Sequence, residues 1–215
     1  MGLYHAGVFG TFSGKVGSVV AARHRGQNVV RNLGRKSGKP SSAKQAQVQG
    51  VFSFTGEFLR PLLDMIRIGY GYRDTGPTTM NRAMKYHIKN VVTGIAPDYE
   101  LTYPEVKLSL EKRMGRTHKP KALAAIEQTV KLSWELEPNS TSTFGTDLLY
   151  AVLYSPAQNK SIPVAEGVLR SALSIDVYIP YSFIGEKMHC WLFFASADKT
   201  RVSDTDYLGE LTILA

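Results

Sequence analysis

The sequence predicts an α+β protein: an extended basic N-terminal arm and two helices, followed by an all-β sandwich of immunoglobulin or fibronectin type III kind. Three observations predict it. Cations crowd the front of the chain, apolar residues recur at helical spacing in the middle, and from Tyr103 onward the period changes to alternation. The regions that follow are 1–40, a Gly-rich, hairpin-prone arm; 41–102, helical; and 103–215, the sandwich.

The arm contains GVFGTFSGKVGSVV, residues 7–20. A phosphate-binding loop reads Gly-x-x-x-x-Gly-Lys-Ser/Thr, because backbone N–H groups wrap the phosphates and the hydroxyl holds magnesium. Counting back from Gly14-Lys15 places Phe9 where the first glycine belongs, and Val16 stands at the hydroxyl position. The dinucleotide fingerprint Gly-x-Gly-x-x-Gly fails too, since the glycines fall at 10, 14 and 17. A structural role fits better. Val16, Val19-Val20 and Val29-Val30 flank Arg23-His24-Arg25-Gly26-Gln27-Asn28 as two short strands flank a turn. The glycines allow tight bends and close backbone approach. Such β-branched and aromatic content is unlike a disordered basic tail, so the arm is expected to pack on its own body or on a neighbouring chain.

Gly34–Ser42 (GRKSGKPSS) reads as a polar, basic linker, and Ser42 with Gln45 makes a capping box. A helix follows, with Val48, Val51, Phe52, Phe58, Leu59, Leu62, Leu63 and Ile66 near helical spacing. Pro61 should kink or split it, because its ring removes a hydrogen bond. GYGYRDTGP, residues 69–77, is a turn-rich connector. A second helix is expected over 79–93, with Met80, Ala83, Met84, Ile88, Val91 and Val92 on one face and Arg82, Lys85 and Lys89 on the other. That second face is either a solvated surface or an anion-binding ridge.

Val106, Leu108 and Leu110 predict one strand, and Val130, Leu132, Trp134 and Leu136 a cleaner one. Further strands are expected at 148–154, 162–169, 173–179, 188–195 and 206–214, divided by Pro, Asn, Gly and Asp clusters. Short strands at this spacing argue a sandwich. Its expected core is Trp134, Leu149, Val152, Leu173, Val177, Trp191, Phe193 and Tyr207.

The net charge of +8 is unevenly placed. Residues 1–56 hold eight cations and no acid; residues 57–126 hold 12 basic and 7 acidic side chains; residues 127–215 hold 6 basic and 11 acidic, a net −5. A basic front is joined to an acidic back. Cys190 is the single cysteine, which rules out an internal disulfide and fits a reducing compartment. No apolar run approaches the roughly 20 residues of a membrane helix, and the N-terminus lacks the apolar core of a signal peptide. Ala6 stands where a myristoylation motif wants Ser or Thr. A cytoplasmic chain is expected, or one inside an assembled particle.

Signals for catalysis are missing. The five histidines form no His-x-x-x-His pair and none sits beside an acid at ligand spacing. Cys190, in the run Met188-His189-Cys190-Trp191-Leu192-Phe193, reads as a buried strand thiol. Ser203-Asp204-Thr205-Asp206 lacks the glycine and distal glutamate of a calcium loop and reads as a turn. Glu135 and Glu137 alternate with Trp134 and Leu136 and should face solvent. No cofactor, metal or small-molecule substrate is expected.

Several stretches together carry a resemblance: GVFGTFSGKVGSVV, KPSSAKQAQVQGVF, NRAMKYHIKNVVTG, TVKLSWEL, the aspartate of GTDLLYAVLY, and IPYSFIGEKMHCWLFFASADKTRVSDTDYLG. The chain resembles an uncharacterised Bacteroidota family, domain of unknown function 6266, over nearly its whole length. The opening Gly-Lys-Gly block and the closing Ser-x-x-x-Tyr-x-Gly block are the most specific parts. His24-Arg25 departs from it, standing where a Trp-Lys-like pair is expected, and makes this arm more basic. The resemblance implies an arm and helices followed by a fibronectin-like sandwich, and supplies no catalytic residues.

The function expected is a structural, self-assembling subunit of a phage or phage-like particle, not an enzyme, with a homo-oligomer or larger protein assembly as partner. Head-to-tail contact would bring basic front to acidic back. The alternative is a nucleic-acid-binding protein that uses the arm and helix 79–93 for sequence-independent phosphate contacts. Under either reading the contact residues are Lys15, Arg23, Arg25, Arg31, Arg35, Lys36, Lys39, Arg82, Lys85 and Lys89.

Overall fold

The computed structural model describes residues 2–5, 10–24, 26–34, 38, 40–71, 76–110, 114–125, 128–138, 140–164 and 167–214. The chain divides into two compact units, residues 1–44 with 74–76 and residues 45–73 with 77–215.

The smaller unit is a four-stranded antiparallel sheet in the order β1-β4-β3-β2, built from Gly2–Leu3 (β1), Gly14–Val16 (β2), Val19–His24 (β3) and Gln27–Asn32 (β4). Val16 pairs with Val19 across a two-residue loop, and Gly17 enters it at φ 59°. That conformation is nearly free for glycine and strained for other residues. The glycines of the opening stretch thus shape a hairpin. Tyr4 donates its hydroxyl to the Phe12 carbonyl at 2.6 Å.

In the larger unit, α1 (Ala43–Leu59) begins at the boundary, stops at Arg60–Leu62, and α2 (Leu63–Gly69) resumes. The break falls at Pro61, which has no N–H to continue the ladder. α3 covers Thr79–Asn90, with the Thr78 side chain accepting from the Asn81 N–H at its start. It ends earlier than the expected residue 93. The β-branched run Val91-Val92-Thr93 leads instead into a hairpin, β5 (Val92–Ile95) with β6 (Asp98–Leu101).

Seven strands follow: β7 (His118–Ala125), β8 (Thr129–Glu135), β9 (Leu148–Ser155), β10 (Lys160–Pro163), β11 (Ser174–Tyr178), β12 (Lys187–Ala195) and β13 (Asp206–Thr212). They form two antiparallel sheets, β10-β9-β12-β13 and β11-β8-β7. The expected strand at Val106–Leu110 is absent. The segment is a 3-10 turn at Tyr103–Glu105 and then irregular chain, with Val106 and Leu108 buried. β7 escaped the sequence pattern because it contains Pro120; as an edge strand it tolerates the missing donor, and its register shifts between His118 and Lys121.

β9 and β12 are buried on both faces, which separates two cores. Leu149, Ala151, Leu153, Cys190, Leu192 and Phe194 face the three-stranded sheet, meeting Val130, Leu132, Trp134 and Val177. Their alternates Tyr150, Val152, Tyr154, Trp191, Phe193 and Ala195 face the helices, meeting Phe58, Leu59, Leu62, Ile66 and Met84. The result is three layers: helices, four-stranded sheet, three-stranded sheet. The expected boundary between 41–102 and 103–215 is therefore no structural boundary, since the helices and a sheet share a core. Of the expected single core, Trp191, Phe193 and Val152 lie on the helix side, and Trp134, Leu149 and Val177 on the other. Leu173 is corrected outright: its φ of 63° turns the side chain out to 43% exposure, while its carbonyl accepts from the Trp134 N–H.

Candidate functional site

The cations predicted as contact residues do not form one surface. In the arm sheet Lys15 pairs with Val20 and Val20 with Arg31, so these three share a face. Arg23, three residues from Val20 on the same strand, belongs to the opposite face. Arg25, Arg35, Lys36 and Lys39 lie outside the described residues.

In the larger unit Arg82 is half-buried and turned inward. Its guanidinium donates to the Tyr70 carbonyl at 2.6 Å and to that of Gly71, and sits 5.9 Å from the Tyr70 ring. A cation at the C-terminus of α2 satisfies carbonyls that the helix leaves open. Arg82 is thus a structural residue, and the expected ridge reduces to the exposed Lys85 and Lys89.

Other candidate chemistry resolves into structure. Cys190 is fully buried, and burial pushes its thiol up to about 12, so it is held neutral. Among the described residues no group of three or more His, Cys, Asp or Glu side chains is arranged to hold a metal ion. Residues 203–205 form a buried polar clamp in place of the expected turn. Thr205 Oγ1 accepts from the N–H groups of Leu108 and Ser109 at 2.9 and 2.8 Å, and Asp204 pairs with Lys107 at 2.8 Å. The clamp holds the irregular 106–110 segment against α2. Gly69 permits the approach, because a Cβ there would lie 2.1 Å from the Leu108 carbonyl oxygen.

Asp147 anchors a second buried group, with Arg170 Nε at 3.6 Å and Arg201 at 3.3 Å. Burial lowers the Arg170 pKa, and the Asp147 charge opposes that shift. The guanidinium also lies 4.0 Å from the centre of the Phe194 ring.

Surface concavities lie in the helical layer and beside it. An open groove of about 830 Å³ runs along α1 and α2, lined by Val48, Phe52, Leu63 and Met80 with Arg60 and Arg67. Val48 and Phe52 are exposed, at 69% and 57%. A second groove, of about 490 Å³, is aromatic and carries Glu57 and Glu100. Sequence reasoning missed it because its wall comes from the unpredicted β5–β6 hairpin. Tyr99 of that hairpin reaches α1, donating its hydroxyl to the Gln47 carbonyl at 3.2 Å. Pro97-Asp98 after the β-branched run Val91-Val92-Thr93 was the available signal. Among the described residues no helix is long and apolar enough to cross a membrane.

Comparison with known proteins gives one family and a set of similar folds. A search of curated proteins returns no match. Among solved structures the chain is similar to the FN5 domain of Drosophila Lar, at 10% identity over 47% of this chain and 98% of that one, TM-score 0.34. It is similar also to domains d3-d4 of the rat CD45 extracellular region, at 10% identity over 48% and 51%, TM-score 0.34. A human FNIII domain matches at 14% identity over 57% and 90%, TM-score 0.35. A family model matches residues 11–209, and the chain belongs to that family, described as a family of unknown function (DUF6266).

Proposed function

We propose that the chain is a structural subunit that assembles with copies of itself, in a phage or phage-like particle, and that its basic arm makes the contacts between subunits. The sandwich, of fibronectin type III kind, is then a scaffold and not a catalytic domain. The observation that carries the proposal is how few of the described arm residues are buried. A stable sheet buries one face against another element, yet among the described arm residues only Ala21 and Val29 are buried. Leu3 and Val16 are exposed at 66% and 59%, and Phe12 and Leu33 at 45% and 44%. An apolar, twice-edged sheet in this state is a template for pairing or packing with another chain.

Sequence-independent phosphate binding is less well supported. The described arm cations divide between two faces, and Arg82 is engaged inside the helical layer. The test is the mass of the full-length protein over a concentration series, before and after nuclease treatment. Concentration-dependent association that survives nuclease is expected. A monomer at every concentration, or association lost with the nucleic acid, would overturn the proposal.

A further inference from the structure

Two adjoining grooves in the larger unit have a lining opposite in character to a chain of net charge +8. The first is walled by Phe54, Tyr99, Tyr103 and Tyr154, with Glu57 and Glu100 at its edge. The second, of about 530 Å³, shares Tyr103 and Pro156 with the first and adds Glu186 and Glu210. The aromatic rings brace one another. Tyr103 stacks on His189 with centroids 3.6 Å apart, Phe54 lies 5.4 Å from Tyr99, and Phe58 meets Tyr154 edge-on at 5.3 Å.

The carboxylates divide into two kinds. Glu210 pairs with Lys187 at 2.8 Å, and Glu186 accepts from Ser155 and Gln158. Glu57 and Glu100 are exposed and make no ion pair among the described residues. Aromatic faces beside open carboxylates suit a guanidinium, which stacks on one and pairs bidentately with the other.

We infer that this aromatic groove receives the basic arm of a second copy of the chain. The inference rests on the assembly reading above and names the surface that it requires. Residues 1–56 carry eight cations and no acid, so the arm is the chain's own segment of opposite charge. It also presents Arg31 and Lys15 on one face of its sheet, as a stacked and paired contact needs. The groove along α1 and α2 is the poorer receptor, because Arg60 and Arg67 outweigh Glu57, which lines both grooves, and give it the arm's own sign.

A charge exchange in the full chain tests this. Glu100→Arg reverses a carboxylate that lines the aromatic groove and not the other, and Lys15→Glu with Arg31→Glu reverses one face of the arm; all three side chains are exposed, and far-UV circular dichroism checks folding. Each variant alone should associate at least about tenfold more weakly than wild type, from loss of close charge pairs. Mixing the two variants should restore association, since each then meets an opposite charge. Phe52→Ser, in the other groove, should leave association unchanged. Weakening by the arm variant but not the groove variant, weakening by Phe52→Ser instead, or no restoration on mixing would each overturn this inference while leaving self-assembly standing. A monomeric wild type would overturn both.

Discussion

His87 shows how one residue sets a pH limit on the fold. It is wholly buried among Phe58, Tyr86 and the helix-side core, its Nδ1 lies 2.8 Å from the Ala83 carbonyl, and Nε2 has no partner among the described residues. Desolvation lowers its pKa from 6.5 to about 4. A depressed folded value means that the unfolded chain binds the proton first. His87 therefore costs nothing above pH 6.5, and stability is lost progressively as pH falls from 6.5 toward 4, by about 3 kcal/mol across the window. Burial lowers the His189 pKa as well, which adds loss of the same sign. His87→Leu should flatten this part of the Tm–pH curve, measured by calorimetry between neutral and mildly acid pH. An unchanged slope would contradict the assignment.

Asp147 poses the second residue-scale prediction. Removing it leaves Arg170, 1% exposed, as an uncompensated buried charge. Asp147→Ala should cost about 3–5 kcal/mol in denaturant unfolding. Asp147→Ala combined with Arg170→Met should cost less than the single change, because the orphaned charge is gone. A double variant worse than the single would show that Arg170 contributes through packing alone. The aspartate stood out in the sequence within GTDLLYAVLY, but its two arginine partners come from a 3-10 turn and from the segment between β12 and β13, which no local pattern joins.

At the scale of elements, legibility followed the reach of each cause. The helix break at Pro61 and the strand–turn–strand of the arm depend on residues next to one another, and both were readable. The hairpin at 92–101 was hidden because Val91 and Val92 continue the apolar face of α3; the chain leaves the helix for pairing that lies ahead of it. Leu149-Tyr150-Ala151-Val152-Leu153-Tyr154 is apolar without alternation, a sign of burial on both faces, and it fits the helices lying over this sheet. The candidate site fared less well. The charge asymmetry was plain, but which cations face together depends on register, and which are consumed inside depends on tertiary contacts, as with Arg82.

The lock between α2 and the 106–110 segment gives this scale its prediction. Gly69→Ala sets a Cβ 2.1 Å from backbone that the Thr205 hydroxyl already holds. The segment must shift, at a cost of about 1–3 kcal/mol, which for a domain of this size lowers Tm by roughly 2–12 °C. A thermal melt indistinguishable from wild type would mean that the approach is not enforced.

For the whole molecule, cations crowd the first residues of the chain, while the large cores belong to the residues that follow them in sequence. The three-layer unit has two large buried cores of its own, with Leu59, Leu62, Leu132, Trp191 and Phe194 at or near zero exposure. The arm does not. The two parts should therefore separate in their contributions: the larger unit to stability, the arm to association. Deleting residues 1–40 and measuring sedimentation velocity beside near-UV circular dichroism tests this most directly. The account predicts a truncated protein that keeps the near-UV signal of buried Trp134 and Trp191 but stays monomeric at concentrations where the full chain associates. Association that persists without the arm would contradict it.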